Sequence, residues 1–306
     1  MKRLILLAAL LLGLCVPSSA GFNGCPEGFC SPKTVGGGFT PSCSQSATFL
    51  AAASGVTLTA DKTNYDTLIC GLVSDGVWNF DTLYIWAAPT QATALINLAN
   101  PGTFNGTTHG TVSFTAYQGF TGDGSTFYID SGFNPSTATS PNFVQNSATV
   151  GMYILTSRAT GTNMWGVGCT VGSCTSGPLF AAYNAGSLYM QLNSATAVGG
   201  GSPANAQGAW NGTRTDATSA AVYLNSNEIP LSQTGAASVT PPNVNVIFFG
   251  FNTGFGLVTD QMAAGWIGIG VGNATTGVNA CKIANRINTY MATLASPKNV
   301  YSNSPC

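Results

Sequence analysis

Carboxylates, aromatic rings and cysteines are the side chains of this 306-residue chain that could carry chemistry, and the carboxylates are scarce. Aspartate and glutamate number ten together, and Glu27 and Glu228 are the only glutamates. A glycosidase needs two carboxyl groups about 5 to 10 Å apart, and no Glu-x-Asp-x-x-Glu motif places such a pair on one strand. The sequence therefore predicts no catalytic residue, and it leaves open only a carboxylate pair that folding would assemble from distant segments.

The single histidine, His109, lies in NGTTHGT, a Gly/Thr-rich context typical of a turn. A Ser-His-acid triad needs a histidine or a substitute base, and the chain has no Gly-x-Ser-x-Gly motif. We interpret His109 as an exposed loop residue, and nucleophilic hydrolysis is not indicated.

Two aspartates, Asp123 and Asp130, lie in the segment FTGDGSTFYID. Carboxylate and turn carbonyl oxygens are the ligands that calcium prefers, so these residues are weak calcium candidates. An Asp-Gly pair is equally typical of a hairpin turn, and we favour that interpretation. Calcium is the only cofactor that the sequence leaves open.

Four aromatic residues, Tyr117, Trp165, Tyr183 and Trp210, could stack on the apolar faces of sugar rings if they are exposed. Most aromatic residues of a sandwich pack inward instead. Together with Asp123 and Asp130 they are the candidate ligand-binding residues.

The first twenty residues are typical of a secretory signal peptide, with basic Lys2 and Arg3, an apolar run from Leu4 to Leu14, and small residues before Ala20. The sequence therefore predicts a secreted, extracellular or periplasmic protein. No later apolar run approaches the roughly 20 residues that span a bilayer, so no membrane insertion is expected after the signal is removed.

The cysteines of an exported chain are expected to form disulfides. Removal of Cys15 with the signal leaves an even number, namely Cys25, Cys30, Cys43, Cys70, Cys169, Cys174, Cys281 and Cys306. The four-residue gaps within the two close pairs, 25 with 30 and 169 with 174, are wider than most zinc ligand spacings. These close pairs are candidate partners, and the other four cysteines would tie the ends of the chain to its body.

Charge is sparse, since charged residues make up 6% of the chain against about 25% in ordinary proteins. Without Lys2 and Arg3, seven basic and ten acidic residues remain. Such a chain has no basic stripe for phosphates, which excludes nucleic acid as an expected partner. Hydrophobic residues at 44% suffice for a core.

Four regions follow the signal peptide. Residues 21–60 form a Cys/Gly/Pro-rich N-terminal strap, and residues 61–100 a helical hairpin. In the hairpin, the spacing of Tyr65, Leu68, Ile69, Leu72 and Val73 predicts an amphipathic helix. The same period predicts short helices over Phe80 to Ala88 and, with Thr90 as N-cap, over Gln91 to Ala99.

Residues 101–296 form the third predicted region, where short β-branched and aromatic runs alternate with turn residues. This region ends with a predicted helix, Asn279 to Ala295, and the fourth region is a tail, 297–306, that ends in Cys306. The run Val244 to Phe251 is apolar on both pleat faces and predicts a central strand. The predicted strands are Val112–Tyr117, Thr126–Asp130, Thr149–Thr156, Met164–Gly168, Leu179–Tyr183, Leu188–Asn193, Ala220–Asn225, Val244–Asn252 and Ala263–Val271.

The sequence also resembles a group of prophage-encoded particle or tail-associated proteins, over roughly Asn64 to Ala295. The resemblance rests on YDTLICGLVSDGVWNFDTLYIWAAPTQATALINLANPG, FTAYQGFTGDGSTFYIDSGFNPST, QNSATVGMYILT and VIFFGFNTG, followed by a strand and a terminal helix. It implies a concanavalin-A-like (laminin-G-like) jelly roll whose curved face often holds glycans in the wider superfamily, sometimes with calcium at the rim. The signal peptide and the cysteine-rich leader depart from that group.

The expected fold is therefore mainly β, a two-sheet antiparallel sandwich with an N-terminal helical hairpin and a C-terminal helix. The expected function is non-catalytic, lectin-like recognition of a carbohydrate or cell-surface glycan. Two alternatives stay open. One is a structural decoration or appendage subunit, which self-assembly of the protein would indicate, and the other is a polysaccharide hydrolase or lyase.

Overall fold

The computed structural model describes residues 38–157, 164–170, 174, 176–184, 187–201, 205–225, 227–229, 231, 236–272 and 278–306, without the side chains of 164–165, 182–184 and 278. Within it, Phe39–Cys306 is one compact unit. The predicted signal peptide and residues 21–37 of the predicted strap, which include Cys25 and Cys30, lie outside the described residues. In the described part, no helix combines the length and the apolar character that a bilayer span requires.

The described residues of this unit form four helices and two sheets. The helices are α1 (Ser44–Ala52), α2 (Thr59–Ser74), α3 (Gln91–Ala94) and α4 (Val278–Thr293). The strands of the eight-stranded sheet are β1 (Phe80–Ile85), β3 (Ser113–Thr115), β4 (Gly119–Thr121), β6 (Ala148–Ile154), β11 (Gly208–Arg214), β12 (Ala220–Leu224), β13 (Asn227–Glu228) and β15 (Gln261–Gly268). The strands of the seven-stranded sheet are β2 (Thr107–His109), β5 (Tyr128–Asp130), β7 (Met164–Cys169), β8 (Leu179–Asn184), β9 (Ser187–Gln191), β10 (Val198–Gly200) and β14 (Val246–Phe248).

Both sheets are antiparallel, and they form a sandwich. The strand order is β13-β12-β11-β6-β15-β4-β3 in the eight-stranded sheet, where β1 also pairs with β15, and β10-β9-β8-β7-β14-β5-β2 in the other. Side chains from both sheets meet in one buried cluster, which includes Trp86, Met152, Phe180 and Phe248. The predicted fold class, a mainly β sandwich of two antiparallel sheets, is confirmed.

A second buried cluster lies on the opposite face of the eight-stranded sheet. Tyr153 and Trp266 from the sheet pack there against Tyr65 of α2 and against Ile283 and Met291 of α4. The helices therefore form a third layer, because strand alternation sends successive side chains of β6 and β15 to different clusters.

The predicted helix around Tyr65 is α2, and the predicted C-terminal helix is α4, with Ile283, Ile287 and Met291 buried as its spacing indicates. Thr90 is the N-cap of α3, and its hydroxyl accepts the Thr93 N–H at 3.2 Å. The helix ends at Ala94, five residues before the predicted end.

The predicted helix over Phe80 to Ala88 is wrong, because Phe80–Ile85 is strand β1. This strand pairs with β15 along its length, and five of its six residues are buried. A strand that is buried on both faces has no alternation of apolar and polar residues. The apolar residues of this strand therefore matched a helical period by coincidence. The predicted helical hairpin is therefore a helix followed by a sheet strand.

All nine predicted strands are present, with ends that differ by a few residues. The run around Ile247 is central, because β14 lies between β7 and β5. Sequence analysis did not predict β1, β2, β4, β10, β11 or β13, and it did not predict helix α1. Three of the missed strands, β2, β4 and β10, have only three residues, too few to show a period.

Three disulfides are formed within the described residues: Cys43–Cys70, Cys169–Cys174 and Cys281–Cys306, each with Cα atoms 5.8 Å apart. The predicted pairing of Cys169 with Cys174 is confirmed. Cys43–Cys70 joins the segment before α1 to α2, and Cys281–Cys306 joins the terminal tail to α4. Both ends of the described chain are thus attached to its body, as predicted.

Candidate functional site

The seven-stranded sheet has an outer face that α1, α2 and α4 leave open. None of the buried residues of these three helices belongs to the cluster between the sheets, and their large buried apolar side chains belong to the cluster on the eight-stranded sheet. Of the two outward sheet faces in the described structure, the one on the seven-stranded sheet is thus not covered by these helices.

Two aromatic rings lie side by side on this face. Strand β2 pairs with β5 in a register that sets His109 opposite Tyr128 and Thr107 opposite Asp130. Between them, Ile129 is fully buried in the core between the sheets, so alternation points Tyr128 and Asp130 outward. The rings of His109 and Tyr128 are stacked, with centroids 4.5 Å apart and planes 7° apart. Both side chains are half-buried.

A carboxylate and an amide adjoin the stacked rings. Asp130 Oδ1 accepts the Gly132 N–H at 2.8 Å, and Asn245 Nδ2 donates to Asp130 Oδ1 and Oδ2 at 3.2 and 3.3 Å. Asn245 precedes β14, the neighbour of β5 in the sheet. Burial and the charge of Asp130 both raise the pKa of the Tyr128 phenol. We call Thr107, His109, Tyr128, Asp130 and Asn245 the open-face site.

A loop after β14 carries the most exposed large apolar side chain of the described residues, Phe255, which is 66% exposed. The Phe255 ring meets Phe251 edge-on at 6.0 Å. The loop runs beside β7, because Phe251 O accepts the Cys169 N–H at 3.1 Å. Thr253 Oγ1 also donates to Thr170 O at 3.1 Å. These bonds hold an aromatic tip next to β7, which is one of the two neighbours of β14 in the sheet.

The six residues predicted from sequence do not come together in one site. Asp130 belongs to the open-face site. Trp165 and Tyr183 lie on β7 and β8 of the same sheet, and their side chains are outside the described part. Tyr117 instead lies by the helical layer, where its hydroxyl donates to Asp61 Oδ2 at 3.0 Å.

Trp210 cannot act as an exposed stacking platform in this structure, because its side chain is fully buried. Its Nε1 donates to Ala206 O at 2.7 Å, and its ring meets Phe180 in the core between the sheets. The expectation of an exposed Trp210 is therefore corrected, for the general reason that aromatic residues of a sandwich pack inward.

Asp123 closes its own loop, as the turn interpretation predicts. Its Oδ1 accepts the N–H groups of Ser125, Thr126 and Phe127 at 2.8, 2.7 and 2.8 Å, and its Oδ2 accepts the Thr126 hydroxyl. Burial alone would raise the pKa of this carboxyl, but these hydrogen bonds outweigh it and hold the pKa well below its usual range.

A fall in stability with acid is expected from Asp123. Its folded-state pKa lies below the unfolded value of about 3.9, so its contribution is complete above that value and is lost as the pH falls through the folded pKa. We expect Asp123→Asn to be less stable than wild type at neutral pH and to lose less stability between about pH 5 and pH 2. Urea unfolding across this range measures it, and parallel curves for the two proteins would contradict it.

Clusters of metal ligands are rare in the described residues. One group of three or more histidine, cysteine or acidic side chains comes together there, Cys43, Asp66 and Cys70, and its two cysteines form a disulfide. Asp66 is occupied by Ser42, whose N–H and hydroxyl donate at 2.8 and 2.6 Å. This group therefore joins the segment before α1 to α2 and is not a metal site in this structure. Calcium binding by Asp123 and Asp130 remains a prediction.

Sequence analysis missed His109, Tyr128, Asn245 and Phe255 as surface candidates. His109 is part of strand β2 rather than a loop, which corrects its interpretation. The alternation of Tyr128, Ile129 and Asp130 was visible in the sequence, but the strand that sets His109 beside Tyr128 became evident only from the pairing.

Comparisons with known proteins give a likeness in fold and no family. No family model matches the chain, and no curated protein matches it. Among solved structures, the chain is similar to the botulinum neurotoxin serotype D binding domain, with TM-score 0.46 and 10% identity over 68% of this chain and 52% of that one. It is also similar to domain 4 of AbnA, a GH43 extracellular arabinanase from Geobacillus stearothermophilus in complex with arabinotriose, with TM-score 0.42 and 13% identity over 67% and 98%.

A third similar structure concerns the interaction of botulinum neurotoxin type C with two ganglioside molecules, with TM-score 0.46 and 10% identity over 68% of this chain and 51% of that one. The matched part of this chain spans about half the length of the neurotoxin structures. At these identities the comparisons concern fold alone.

Proposed function

We propose that this protein is a non-catalytic recognition protein that binds a neutral carbohydrate at the open-face site. The observation that carries the proposal is the stacked pair of His109 and Tyr128 beside Asp130 and Asn245, on the sheet face that the main helices leave open. Carbohydrate recognition suits this chemistry, because aromatic surfaces pack against the C–H faces of sugars while carboxylate and amide groups bond their hydroxyls.

Charge supports a neutral ligand. The open-face site contains a carboxylate and no lysine or arginine. Lys62, Lys282, Arg286 and Lys298 belong to the helices or the terminal tail, and Arg214 is 1% exposed. A sugar carboxylate or sulfate would therefore meet Asp130 without a compensating cation among the described residues, and like charges repel.

The proposal includes export, since the sequence begins with a predicted signal peptide and the described part has three disulfides. The resemblance to tail-associated phage proteins supports a role in recognising a cell surface. Cleavage after Ala20 is the expected processing, and mass spectrometry of the exported protein would measure it.

A glycan array on the protein from Gly21 tests the function, with calcium and with chelator. We expect neutral glycans to bind in both conditions and acidic glycans to bind less. Tyr128→Ala should weaken the strongest neutral interaction about tenfold, because it removes one ring of the stacked pair. Leu58→Ala is the control, since Leu58 is an exposed apolar residue beside α2.

Several outcomes of the array would contradict the proposal. One is the absence of binding to any glycan in both conditions, which would favour a structural subunit. The others are a preference for acidic glycans and an affinity for the strongest neutral glycan that Tyr128→Ala leaves unchanged. Release of reducing sugar from a bound glycan would overturn the non-catalytic part.

A further inference from the structure

A cleft of about 380 Å³ lies at one end of the sandwich, within the range of about 300 to 1,000 Å³ typical of ligand sites. It lies between the start of β1, the loop before β2 and the loop that precedes β6. We call it the end cleft. Its lining residues are Phe80, Asp81, Asn100, Thr103, Phe104, Thr139, Ser140 and Asn142.

The carboxylate of the end cleft is held by backbone hydrogen bonds. Asp81 Oδ1 accepts the Asn142 N–H at 2.7 Å, and Oδ2 accepts the Phe143 N–H at 2.8 Å. Burial raises the pKa of this carboxyl despite the two bonds. Each carboxylate oxygen can accept more than one hydrogen bond, so Asp81 keeps acceptor capacity for a ligand hydroxyl.

A buried asparagine fixes one wall of the cleft. Asn97 is fully buried, and its Nδ2 donates to Asp81 O at 2.8 Å and to Thr103 O at 3.0 Å. Its Oδ1 accepts the Leu83 N–H at 3.0 Å. These bonds join the loop before β2 to strand β1, so the cleft is formed before a ligand arrives.

The rim of the cleft offers polar groups that the fold does not use. Asn100, Thr103, Thr139 and Ser140 are exposed. Within the described residues, none of these four side chains makes a hydrogen bond, whereas Asn142 Nδ2 donates to Phe80 O at 3.3 Å. Phe104 adds an aromatic wall whose ring packs edge-on against Phe133 at 5.3 Å.

We infer that the end cleft is a second binding site, for one neutral, hydroxyl-rich ring of the size of a monosaccharide. A carboxylate, two amides and three hydroxyls in one cleft match the alternating donors and acceptors of such a ring. The lining contains no cation, so an acidic sugar is disfavoured. No residue of the open-face site lines the cleft, and this inference stands without the proposed function.

The ligand can be a free monosaccharide or the terminal residue of a longer glycan, and titration distinguishes them. We would titrate isotope-labelled protein with neutral hexoses and pentoses, their oligomers, and glucuronate, and follow the Asn142 and Phe143 amides by NMR. We expect these amides to shift with a neutral monosaccharide and not with glucuronate. If these amides shifted with oligomers alone, the ligand would be the terminal residue of a longer glycan.

Variants locate the site. Asn100→Ala removes a side-chain amide at the rim without breaking a described hydrogen bond, and Thr139→Trp fills the cleft. Each variant should weaken the affinity for the monosaccharide, measured from the shifts of the Asn142 and Phe143 backbone amides, at least about tenfold. Asn227→Ala, an exposed asparagine on β13, is the matched control. A His109→Ala/Tyr128→Ala double variant should leave cleft binding unchanged, which separates this inference from the proposed function.

Three results would overturn the inference. The first is the absence of any shift at Asn142 and Phe143 with every sugar at millimolar concentration. The second is a response to glucuronate alone. The third is a response that Asn100→Ala and Thr139→Trp leave as in wild type.

Discussion

Replacing Arg214 with alanine is expected to lower the free energy of unfolding by about 3 kcal/mol or more. Arg214 is 1% exposed, and its guanidinium donates to three backbone carbonyls: Leu192 O at 2.8 Å, Ala236 O at 2.7 Å and Asp216 O at 3.3 Å. Alanine would leave Leu192 O and Ala236 O without these donors at buried positions, where each loss costs about 1 to 3 kcal/mol. Urea unfolding monitored by circular dichroism measures the change.

Two further variants at this position separate the causes. Arg214→Met keeps much of the apolar stem and removes every donor, so it should cost nearly as much as alanine. Arg214→Lys keeps the charge with fewer donors and should cost less. If alanine changed the free energy of unfolding by less than about 1 kcal/mol, the guanidinium would not be the connection between β11 and the segments at Leu192 and Ala236.

Replacing Trp266 with alanine is the second large expected effect, a loss of about 3 to 5 kcal/mol in unfolding free energy. Trp266 is fully buried on the face of β15 that meets the helices. Its Nε1 donates to Asn211 Oδ1 at 2.7 Å, and its ring occupies the space that a side chain at Gly151 would need. Alanine would leave a cavity between the sheet and the helical layer.

Trp266→Phe serves as the matched variant, since it keeps a ring and removes only the indole N–H donor and part of the volume. We expect it to cost less than alanine. Gly151→Ala should also destabilise the fold, because the new methyl group would collide with the Trp266 ring. Equal stability of wild type and Trp266→Ala would show that the helical layer does not depend on this side chain.

The sequence predicts the large apolar elements of this fold well. Helices α2 and α4 have an apolar stripe at a helical period, and Val246, Ile247 and Phe248 form a buried central strand as their apolar run indicates. Such patterns arise because an element that packs on one side must repeat its apolar residues at its own period. The sandwich follows from many short runs of this kind.

The sequence fails where burial on both faces or pairing between distant strands decides. Phe80–Ile85 is covered on both sides, so its spacing mimicked a helix. Trp210 is a core residue although its neighbours in sequence are small and polar. The open-face site depends on β2 pairing with β5 and on Asn245 meeting Asp130, 115 residues away. No local pattern contains those contacts.

The most direct test of the account maps the footprint of a bound glycan on the protein. Backbone amides of isotope-labelled protein would be compared by NMR with and without the strongest neutral glycan from the array. We predict shifts at His109, Tyr128, Asp130 and Asn245, with α2 and α4 unchanged. Shifts confined to α2 and α4, with β2 and β5 silent, would contradict the claim that the open face of the seven-stranded sheet is the recognition surface.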